Sequence, residues 1–395
     1  MSRLSNLLNP PTREPAACLI ELGEDRTNPG PLNALVKSIE IATSRTDAAA
    51  ATIIFEDRRT EDGTFMVADS GLFYRWQPIR LTVDFSLYQE EILRGYITGL
   101  KPNFPASGGE VTLELSILDE SALLERDHMR KVWGSDVDTT DLMILSELTE
   151  GTGITPDPES GDGQKARSLS QDGPALPFLR DRAAANGYEL LFTPGAVYFG
   201  PKRLEGEAQA PIMVYAGRAT NCLSFGIEDD GMKPDAVTYE VAPVTDGATP
   251  ETETLEPAVP SLGSTPAAQE GSGLGQRFVA RLSRSGDEPP EATAQRAQAM
   301  ADEAAFKLRA NGELDGSLYG HVLRPGALVP VDGTGVRYGG LYYTDKVTHQ
   351  FTEQGYRQQF ELMRNATGED GGLAAAIAGS SGPLKSVASA LTGLF

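Results

Sequence analysis

The length, charge and composition of this chain exclude several classes of protein. With 395 residues and 42.2 kDa it has material for roughly two to three domains with their own cores, so a small scaffold held by disulfides is excluded. A formal net charge of −22 repels nucleic-acid phosphates and argues against sequence-specific DNA or RNA binding. Hydrophobic residues at 40% are ordinary for a globular chain, so we expect a folded, very soluble protein.

Cysteine and histidine are too sparse for a structural metal motif. Cys18 and Cys222 lie far apart without Cys-x-x-Cys spacing, and His128, His321 and His349 are the only histidines. This pattern does not supply a clustered zinc site. The first residues lack the apolar core of a secretory signal, and we find no uncharged run long enough for a bilayer span. We therefore expect a soluble protein made in a reducing cytosol.

The first region of the chain has the period-two alternation of β-strands. Apolar residues alternate with polar ones over Ile79–Leu87 and again over Val111–Ile117. Such alternation places one set of side chains in a core and the other in water. Glycine, proline and asparagine separate the strands, as in an antiparallel barrel or sandwich. We predict an N-terminal arm over residues 1–14 and a first tube-like β-barrel domain over residues 15–118.

The middle of the chain, residues 119–210, is predicted to be a small α/β domain. Thr140 is placed to cap a helix in which Leu142, Leu145 and Leu148 recur on one side. A second helix begins near Asp172 or Pro174, buries Leu176, Leu179 and Ala183, and ends at Asn186-Gly187, where glycine permits a left-handed cap. A hairpin follows, turning at Thr193-Pro194-Gly195.

Residues 211–367 are predicted to form a second tube-like β-domain. Within it, residues 243–275 are rich in Pro, Thr, Glu, Gly and Ser. They contain too few large apolar residues to offset the ordering of their backbone, so we interpret them as a surface insertion or linker. A helix is predicted over residues 290–311, closed by Asn311-Gly312. Its inward face is predicted to carry mostly small residues, namely Ala297, Met300, Ala301, Ala304 and Leu308.

The last predicted strands are Leu328–Val331, Leu341–Phe351 and Tyr356–Met363, and Asp345 interrupts the apolar face of the second. Residues 368–395 form a glycine-rich apolar tail. Its pattern is typical of two short amphipathic helices, which are marginal in water when isolated. Two interpretations stay open for this tail: an unstructured terminus, or a segment that orders when its apolar stripe docks on a neighbouring chain.

The acidic loop Asp136–Asp141, followed by Glu147, partly imitates a calcium-binding EF-hand. The sixth position of an EF-hand loop needs glycine for its sharp turn, but here it is Asp141. We therefore favour the interpretation that these acids lie near a helix N-terminus, where the helix dipole stabilises them, over a calcium site. The glycine pairs at Gly333-Thr334-Gly335 and Gly339-Gly340 lack the strand-to-helix context of a phosphate cradle and are interpreted as hairpin turns.

Catalytic chemistry has no sequence signature in this chain. There is no Gly-x-Ser-x-Gly elbow, and no pair of carboxylates stands out for glycoside cleavage. His349 is expected to be a buried histidine with a satisfied ring, and His128 is expected in a solvated polar turn. We therefore predict no catalytic, cofactor-binding or metal-binding residues and no enzyme activity.

The order of these elements resembles the phage late control D family, the baseplate hub of the tail. The resemblance covers about residues 15–366 and rests on the following segments: Leu118–Leu124, the helix capped at Thr140, Gln171–Arg180, Asn186–Leu190, Phe199–Pro201, Leu323–Gly326, Tyr338–Tyr343, Val347–Thr352 and Gly355-Tyr356. The segments at the C-terminal end are the most specific. The family motifs are structural, so no active-site residues are transferred.

This resemblance implies a mainly β fold with α+β parts, in which two tube-type antiparallel β-barrel domains are joined by a small α/β domain. It also implies a homotrimer that presents a pseudo-sixfold ring. The expected partners are the protein of the hexameric tail tube or a tube initiator on one side, a separate trimeric spike protein on the other, and other baseplate proteins of a phage tail or related contractile injection system. We expect a location in the virion tail baseplate, assembled in the bacterial host cytoplasm. The negative charge is hypothesised to keep passing DNA from the channel wall.

Two alternatives come from other classes of protein. The first alternative is a tail-associated cell-wall-degrading enzyme, because some baseplate components carry lysozyme or peptidase modules. The second alternative is a receptor- or carbohydrate-binding β-protein. Exposed aromatic clusters in a cleft would favour this class. Aromatic residues make up only 7% of the sequence, which gives this second alternative little support.

Overall fold

The computed structural model describes residues 16–106, 109–134, 139–166, 168–241, 251–270, 275–283 and 290–368. The predicted arm over residues 1–14 lies outside this part of the chain, as does the predicted tail except for Gly368. No helix among the described residues is long and apolar enough to cross a membrane.

The first region is built from six antiparallel strands, in agreement with its predicted alternation. They are β1 (Ala17–Leu22), β2 (Val36–Ser44), β3 (Ala50–Asp57), β4 (Pro78–Asp84), β5 (Gln89–Asn103) and β6 (Val111–Asp119). Strand β4 alternates between half-buried and buried side chains along its whole length. The buried set packs with its equivalents on the neighbouring strands into one apolar core that includes Ile41, Phe55 and Leu115.

The middle region confirms the predicted small α/β unit. Its elements are β7 (His128–Trp133), β8 (Thr139–Thr140), α1 (Asp141–Thr149), β9 (Thr155–Pro156), β10 (Lys165–Ala166), β11 (Leu169–Pro174), α2 (Ala175–Asn186), β12 (Glu189–Thr193) and β13 (Ala196–Gly200). The hydroxyl of Thr140 accepts from the Met143 amide and so caps α1. Helix α2 ends at Gly187, whose φ of 65° is left-handed, as predicted.

The last region combines a second set of strands with a small layer of its own. Its elements are β14 (Ile212–Met213), β15 (Cys222–Asp229), β16 (Ala236–Val241), β17 (Glu251–Leu255), β18 (Thr265–Pro266), β19 (Val279–Leu282), α3 (Pro290–Ala304), β20 (Leu308–Asp315), α4 (Gly316–Tyr319), β21 (Leu328–Asp332), α5 (Gly335–Tyr338), β22 (Gly340–Thr352), β23 (Gly355–Arg364) and β24 (Ala366–Thr367).

The two β-regions share one curled sheet, which is antiparallel except where the short strand β14 pairs with β21. Its strand order is β1-β4-β5-β6-β3-β2-β22-β23-β20-β15. The junction is the antiparallel pair of β2 and β22, in which Ile39 lies opposite Phe351 and Ser44 lies opposite Lys346. The mainly β fold class is confirmed, and the barrel-like halves are joined edge to edge by main-chain hydrogen bonds rather than only standing side by side.

The low-complexity stretch over residues 243–275 is more ordered than we expected. Strand β17 pairs with β16, and β18 pairs with β24 near the end of the described chain. Leu262 is buried against Phe306 and Met363 in a small core. Its few apolar residues are therefore sufficient, because they dock on a surface that the rest of the chain has already formed. Residues 242–250 and 271–274 lie outside the described part.

The predicted helix over residues 290–311 is shorter than expected. Helix α3 ends at Ala304, and Leu308, Asn311 and Gly312 belong to strand β20. Ala297 and Ala301 are buried against Val237 and Tyr239 of the small sheet formed by β16, β17 and β19. Met300 is 39% exposed, so its predicted place on the inward face is wrong. Small residues do let this helix lie close to a sheet, as predicted.

Candidate functional site: a polar sheet face and a buried charge cluster

One face of the long sheet is solvated and polar across both β-regions. In one row across the strands, Ser116, Thr52, Glu40 and Gln350 stand side by side. A second row runs through Ala42, Thr348, Gln359, Glu313 and Ser224. All of these side chains are exposed or half-buried, while the residues between them face the apolar cores. We call this surface the polar sheet face.

The charges on the polar sheet face are interspersed and often paired. Lys101 contacts Glu114 at 2.8 Å across β5 and β6, and Lys346 lies opposite Glu361 on β22 and β23. Arg357 and Glu313 are 3.9 Å apart. The face is therefore neither a basic stripe, as a nucleic-acid site would be, nor an acidic one. Most of its remaining side chains are short and uncharged.

A partly buried charge cluster connects the three regions. Arg45 follows β2, and its side chain is 10% exposed. It donates to Asp345 Oδ1 at 2.5 Å, to Glu303 Oε1 at 2.9 Å and to Glu189 Oε1 at 3.3 Å. These carboxylates lie on β22, α3 and β12 respectively, so a single guanidinium holds the long sheet, helix α3 and the α/β unit together.

Further cations and a hydroxyl complete this cluster. Lys202 Nζ lies 2.8 Å from Glu303 Oε2, Arg309 contacts Asp345, and Tyr343 donates from its hydroxyl to Glu189 Oε2 at 2.5 Å. We call the set Arg45, Glu189, Lys202, Glu303, Arg309, Tyr343 and Asp345 the Arg45 cluster. Its cations and carboxylates are equal in number, so burial leaves little net charge uncompensated.

The pKa values of the acids in the Arg45 cluster shift in opposite directions. Burial raises the pKa of the Glu189 carboxyl, and its contacts with Lys202, Tyr343 and Arg45 only partly oppose that rise. Burial acts in the same direction on Glu303, but there the nearby Lys202 and Arg45 prevail and lower its pKa to about 2. The cluster is a structural ion network in which Glu303 is held firmly ionised.

The structure separates the residues that sequence analysis considered for metal or nucleotide binding. Asp141 is buried and accepts from Arg182 Nε at 2.7 Å and from Asn186 Nδ2 at 2.7 Å. Asp136, Val137 and Asp138 lie outside the described residues. Within the part of the chain that the structure describes, no group of three His, Cys, Asp or Glu side chains is arranged to hold a metal ion. Gly333, Gly335 and Gly339 lie in the connection between antiparallel β21 and β22, as predicted, and Gly340 begins β22. The connection includes the short helix α5.

The histidines and cysteines occupy structural positions. His349 is fully buried; its Nδ1 lies 2.8 Å from the Tyr356 hydroxyl, whereas its Nε2 has no hydrogen-bond partner among the described residues. The expectation of a fully satisfied ring is therefore only half met. Burial, reinforced by Arg324, lowers the pKa of His349 to about 3, which keeps the ring neutral. His128 is exposed beside Asp172, and Cys18 and Cys222 are free thiols.

Sequence analysis missed two features. The first is the Arg45 cluster, for which the single available signal was Asp345 interrupting an otherwise apolar strand face; in the structure this residue lies at a shift of register between β22 and β23. The second is Trp76, whose φ of 64° is left-handed and strained for a bulky side chain. The Arg126 guanidinium lies 4.2 Å from the centre of the Trp76 ring.

Comparisons with known proteins give one family and a shared fold. The family model described as Alg8_N, the Alg8 N-terminal domain, matches residues 31–353. No curated protein matches the sequence. The fold is similar to that of the 43 kDa tail protein of prophage MuSo2 from Shewanella oneidensis, at a TM-score of 0.66 and 13% identity over 89% of this chain and 99% of that chain.

Two further solved structures share the fold. The tail protein from Neisseria meningitidis MC58 has a TM-score of 0.61 and 12% identity over 92% of this chain and 99% of that chain. The second is the E. coli c3393 protein, described as a component of the type VI secretion system with structural similarity to T4 bacteriophage tail proteins gp27 and gp5. It has a TM-score of 0.52 and 14% identity over 87% of this chain and 76% of that chain. The predicted resemblance to phage tail proteins is confirmed for the fold, and the narrower late control D assignment stays a prediction.

Proposed function

We propose that this chain, which belongs to the Alg8 N-terminal domain family, is a structural component of a phage tail or a related contractile injection system, and specifically its baseplate hub. The family description names a domain and no activity, so the fold carries the argument. Proteins with the same fold are described as tail proteins and as a type VI secretion component. The late control D resemblance agrees with this assignment.

The observation that carries the proposal is the long sheet with its polar face. Two β-regions of one chain join through β2 and β22, so a single protomer supplies two neighbouring segments of a ring wall. Three copies would then supply six such segments by rotational symmetry. This arrangement suits an adaptor between a hexameric tail tube and a trimeric spike, with the polar sheet face towards the channel.

The polar sheet face modifies our expectation about the channel. Its acids are interspersed with Lys101, Lys346 and Arg357. We therefore no longer propose that a uniformly acidic wall repels passing DNA. Short polar side chains and paired charges give a transported polymer few places to bind strongly, because Lys101 and Arg357 lie near carboxylates and Lys346 stands opposite one. We propose that the polymer adheres weakly to this face because its charges are paired, and not because the protein has a large net charge.

Native mass spectrometry tests the hub proposal. We expect a species of about three times the protomer mass, alone or after co-expression with candidate tube and spike proteins, since oligomers of this kind close by rotation. The trimer is expected in complex with the trimeric spike on one side. A protein that stays monomeric under both conditions contradicts the proposal.

We also propose that the chain has no enzyme activity of its own, and that its partners are other baseplate proteins rather than nucleic acid. The rival assignment, a cell-wall-degrading enzyme, is tested by incubating the purified chain with peptidoglycan and measuring released fragments. We expect no more peptidoglycan fragments than in a control sample without the protein. Release that depends on a carboxylate of the chain would overturn the structural assignment.

A further inference from the structure

The described chain ends at a fixed position on the protein surface. The Gly368 amide donates to the Arg337 carbonyl oxygen at 2.9 Å. Its own carbonyl oxygen accepts from Arg364 Nη2 at 2.7 Å, and Arg364 is fully buried. The same guanidinium donates to the carbonyl oxygens of Leu262 and Gly339. The point where the remaining chain leaves the body is therefore held by a buried cation.

An exposed apolar surface lies beside this point. Val336, the neighbour of Arg337, is 74% exposed, and Tyr215 is 88% exposed. The turn that carries Val336 passes the Tyr215 backbone, since a Cβ built on Gly333 would be 2.6 Å from the Tyr215 nitrogen. Three residues span at most about 10 Å, which bounds the distance between Gly333 and Val336. We call Tyr215 and Val336 the exit patch.

Charge around the exit patch favours a weakly basic partner. Arg337 is shared by Asp229 at 3.2 Å and Glu270 at 3.0 Å, and Asp332 begins the same turn. These acids outnumber the one arginine. Residues 371–395 contain no acid and a single basic residue, Lys385. Two acids, Glu369 and Asp370, come directly after Gly368. The charge that complements the patch therefore lies further along the chain, in residues 384–395, which are mainly apolar and contain Lys385 and no acid.

The sequence after Gly368 has the pattern of an apolar helix face. From Leu384 onward, apolar residues recur at the spacing of one helix side, namely Leu384, Val387, Ala388, Leu391, Leu394 and Phe395. Pro383 stands where the first helical turn would begin. A helix of this length is marginal in water unless a partner surface covers its apolar side.

We propose that residues 384–395 dock on the exit patch of their own chain, with Leu391 towards Val336. The connecting residues, 369–383, are long enough, since an extended chain spans about 3.3 Å or more for each residue. A short tether also gives the segment a local concentration of about millimolar, which a neighbouring copy cannot match in dilute solution. The inference does not depend on the proposed function.

Disulfide trapping in the full chain tests this contact. The variant Val336→Cys/Leu391→Cys places one thiol on the patch and one on the apolar side of the segment. The matched control, Val336→Cys/Ser389→Cys, places the second thiol on the opposite side of the same pattern. The native cysteines can stay, because burial raises the pKa of Cys18 to about 12 and that of Cys222 to about 11, which keeps both thiols protonated and unreactive.

The expected result is a cross-link within one chain that forms about tenfold faster for the Leu391 variant than for the Ser389 control, at a rate independent of protein concentration. Adding Tyr215→Ser is expected to slow it. Equal rates for the two pairs would show that no specific contact exists. Cross-links chiefly between chains would assign the segment to a neighbouring copy, and either result overturns the proposal. Because the reaction is scored within a chain, a monomeric protein that disproves the hub can still confirm the contact.

Discussion

Arg45 and Asp345 are 300 positions apart in the sequence, and their side chains meet at 2.5 Å. The Arg45 side chain is 10% exposed and Asp345 is 16% exposed. Their contact lies beside the pair of strands that joins the two β-regions, where Ser44 faces Lys346. This ion pair therefore reinforces the junction on which the continuity of the sheet depends.

Replacing Arg45 by methionine should weaken the whole fold. The change would leave Glu189 and Asp345 buried without their shared cation, and breaking a buried pair in this way costs about 3 kcal/mol or more. Chemical denaturation monitored by circular dichroism measures the free energy of unfolding. Arg58→Met is the matched control, because Arg58 pairs with Glu56 in solvent with a side chain 63% exposed, and such pairs contribute about 1 kcal/mol or less.

Acidification should weaken the protein partly through Glu303. Its folded pKa of about 2 lies below the ordinary value of 4.5, so its ionised form stabilises the fold above that ordinary value. This contribution is lost as the pH falls from 4.5 towards 2. We expect Glu303→Gln to lower the denaturation midpoint at pH 7 more than at pH 3, with the difference reduced by solvent screening because the side chain is 41% exposed.

Glu189 should oppose this trend, because burial raises its pKa. The folded state then binds a proton at Glu189 more readily than the unfolded state does, so this residue favours folding at low pH and loses that effect as the pH rises. If the denaturation midpoint of the Glu303→Gln variant changes with pH in the same way as that of the unsubstituted protein, our account of the cluster is contradicted.

The inward face of α3 can be tested with two adjacent positions. Ala301 is 1% exposed, whereas Met300 is 39% exposed. Ala301→Arg forces a long cation into the contact with Val237 and Tyr239 and should lower the free energy of unfolding by about 3 kcal/mol. Met300→Arg should change it by about 0.5 kcal/mol or less. Similar losses in thermal stability for the two variants would mean that the helix packs on another side.

Glycine at position 312 should be irreplaceable in β20. A Cβ there would lie 2.2 Å from the Ser224 carbonyl oxygen and 2.5 Å from the Phe360 ring, so Gly312→Ala should destabilise the protein by about 2 kcal/mol. At Gly99 the nearest atom would be 3.5 Å away, so Gly99→Ala is the control, with a gain of up to about 1 kcal/mol from a stiffer unfolded chain. Melting temperatures that order the two variants the other way would refute this packing.

Local signals in the sequence were sufficient for much of the fold. The cap at Thr140, the left-handed Gly187 and the alternation in β4 each depend on a few neighbouring residues, and all three are confirmed. The sequence predicts the end of a helix where strand β20 lies, because Asn311-Gly312 is also a common helix stop. What decides its conformation is distant: β20 lies between β15 and β23.

The candidate site was harder to predict for the same reason. The Arg45 cluster takes its charges from separate regions of the chain, and no local spacing links Arg45 to Glu189 or Glu303. Likewise β17 has an ordinary polar composition, and only its pairing with β16 makes it a strand. Periodicity identifies which residues face a core, but it does not identify which strand edges meet.

The junction between β2 and β22 also constrains how the protein is made. Thr43 bonds to the carbonyl of Val347, 304 positions later in the chain, so the outer edge of β2 has no native partner until most of the polypeptide has left the ribosome. Contacts at such separation fold slowly and leave an open strand exposed to other nascent chains. Production of this protein should therefore be limited by cotranslational aggregation, and slower translation at low temperature should raise the soluble yield.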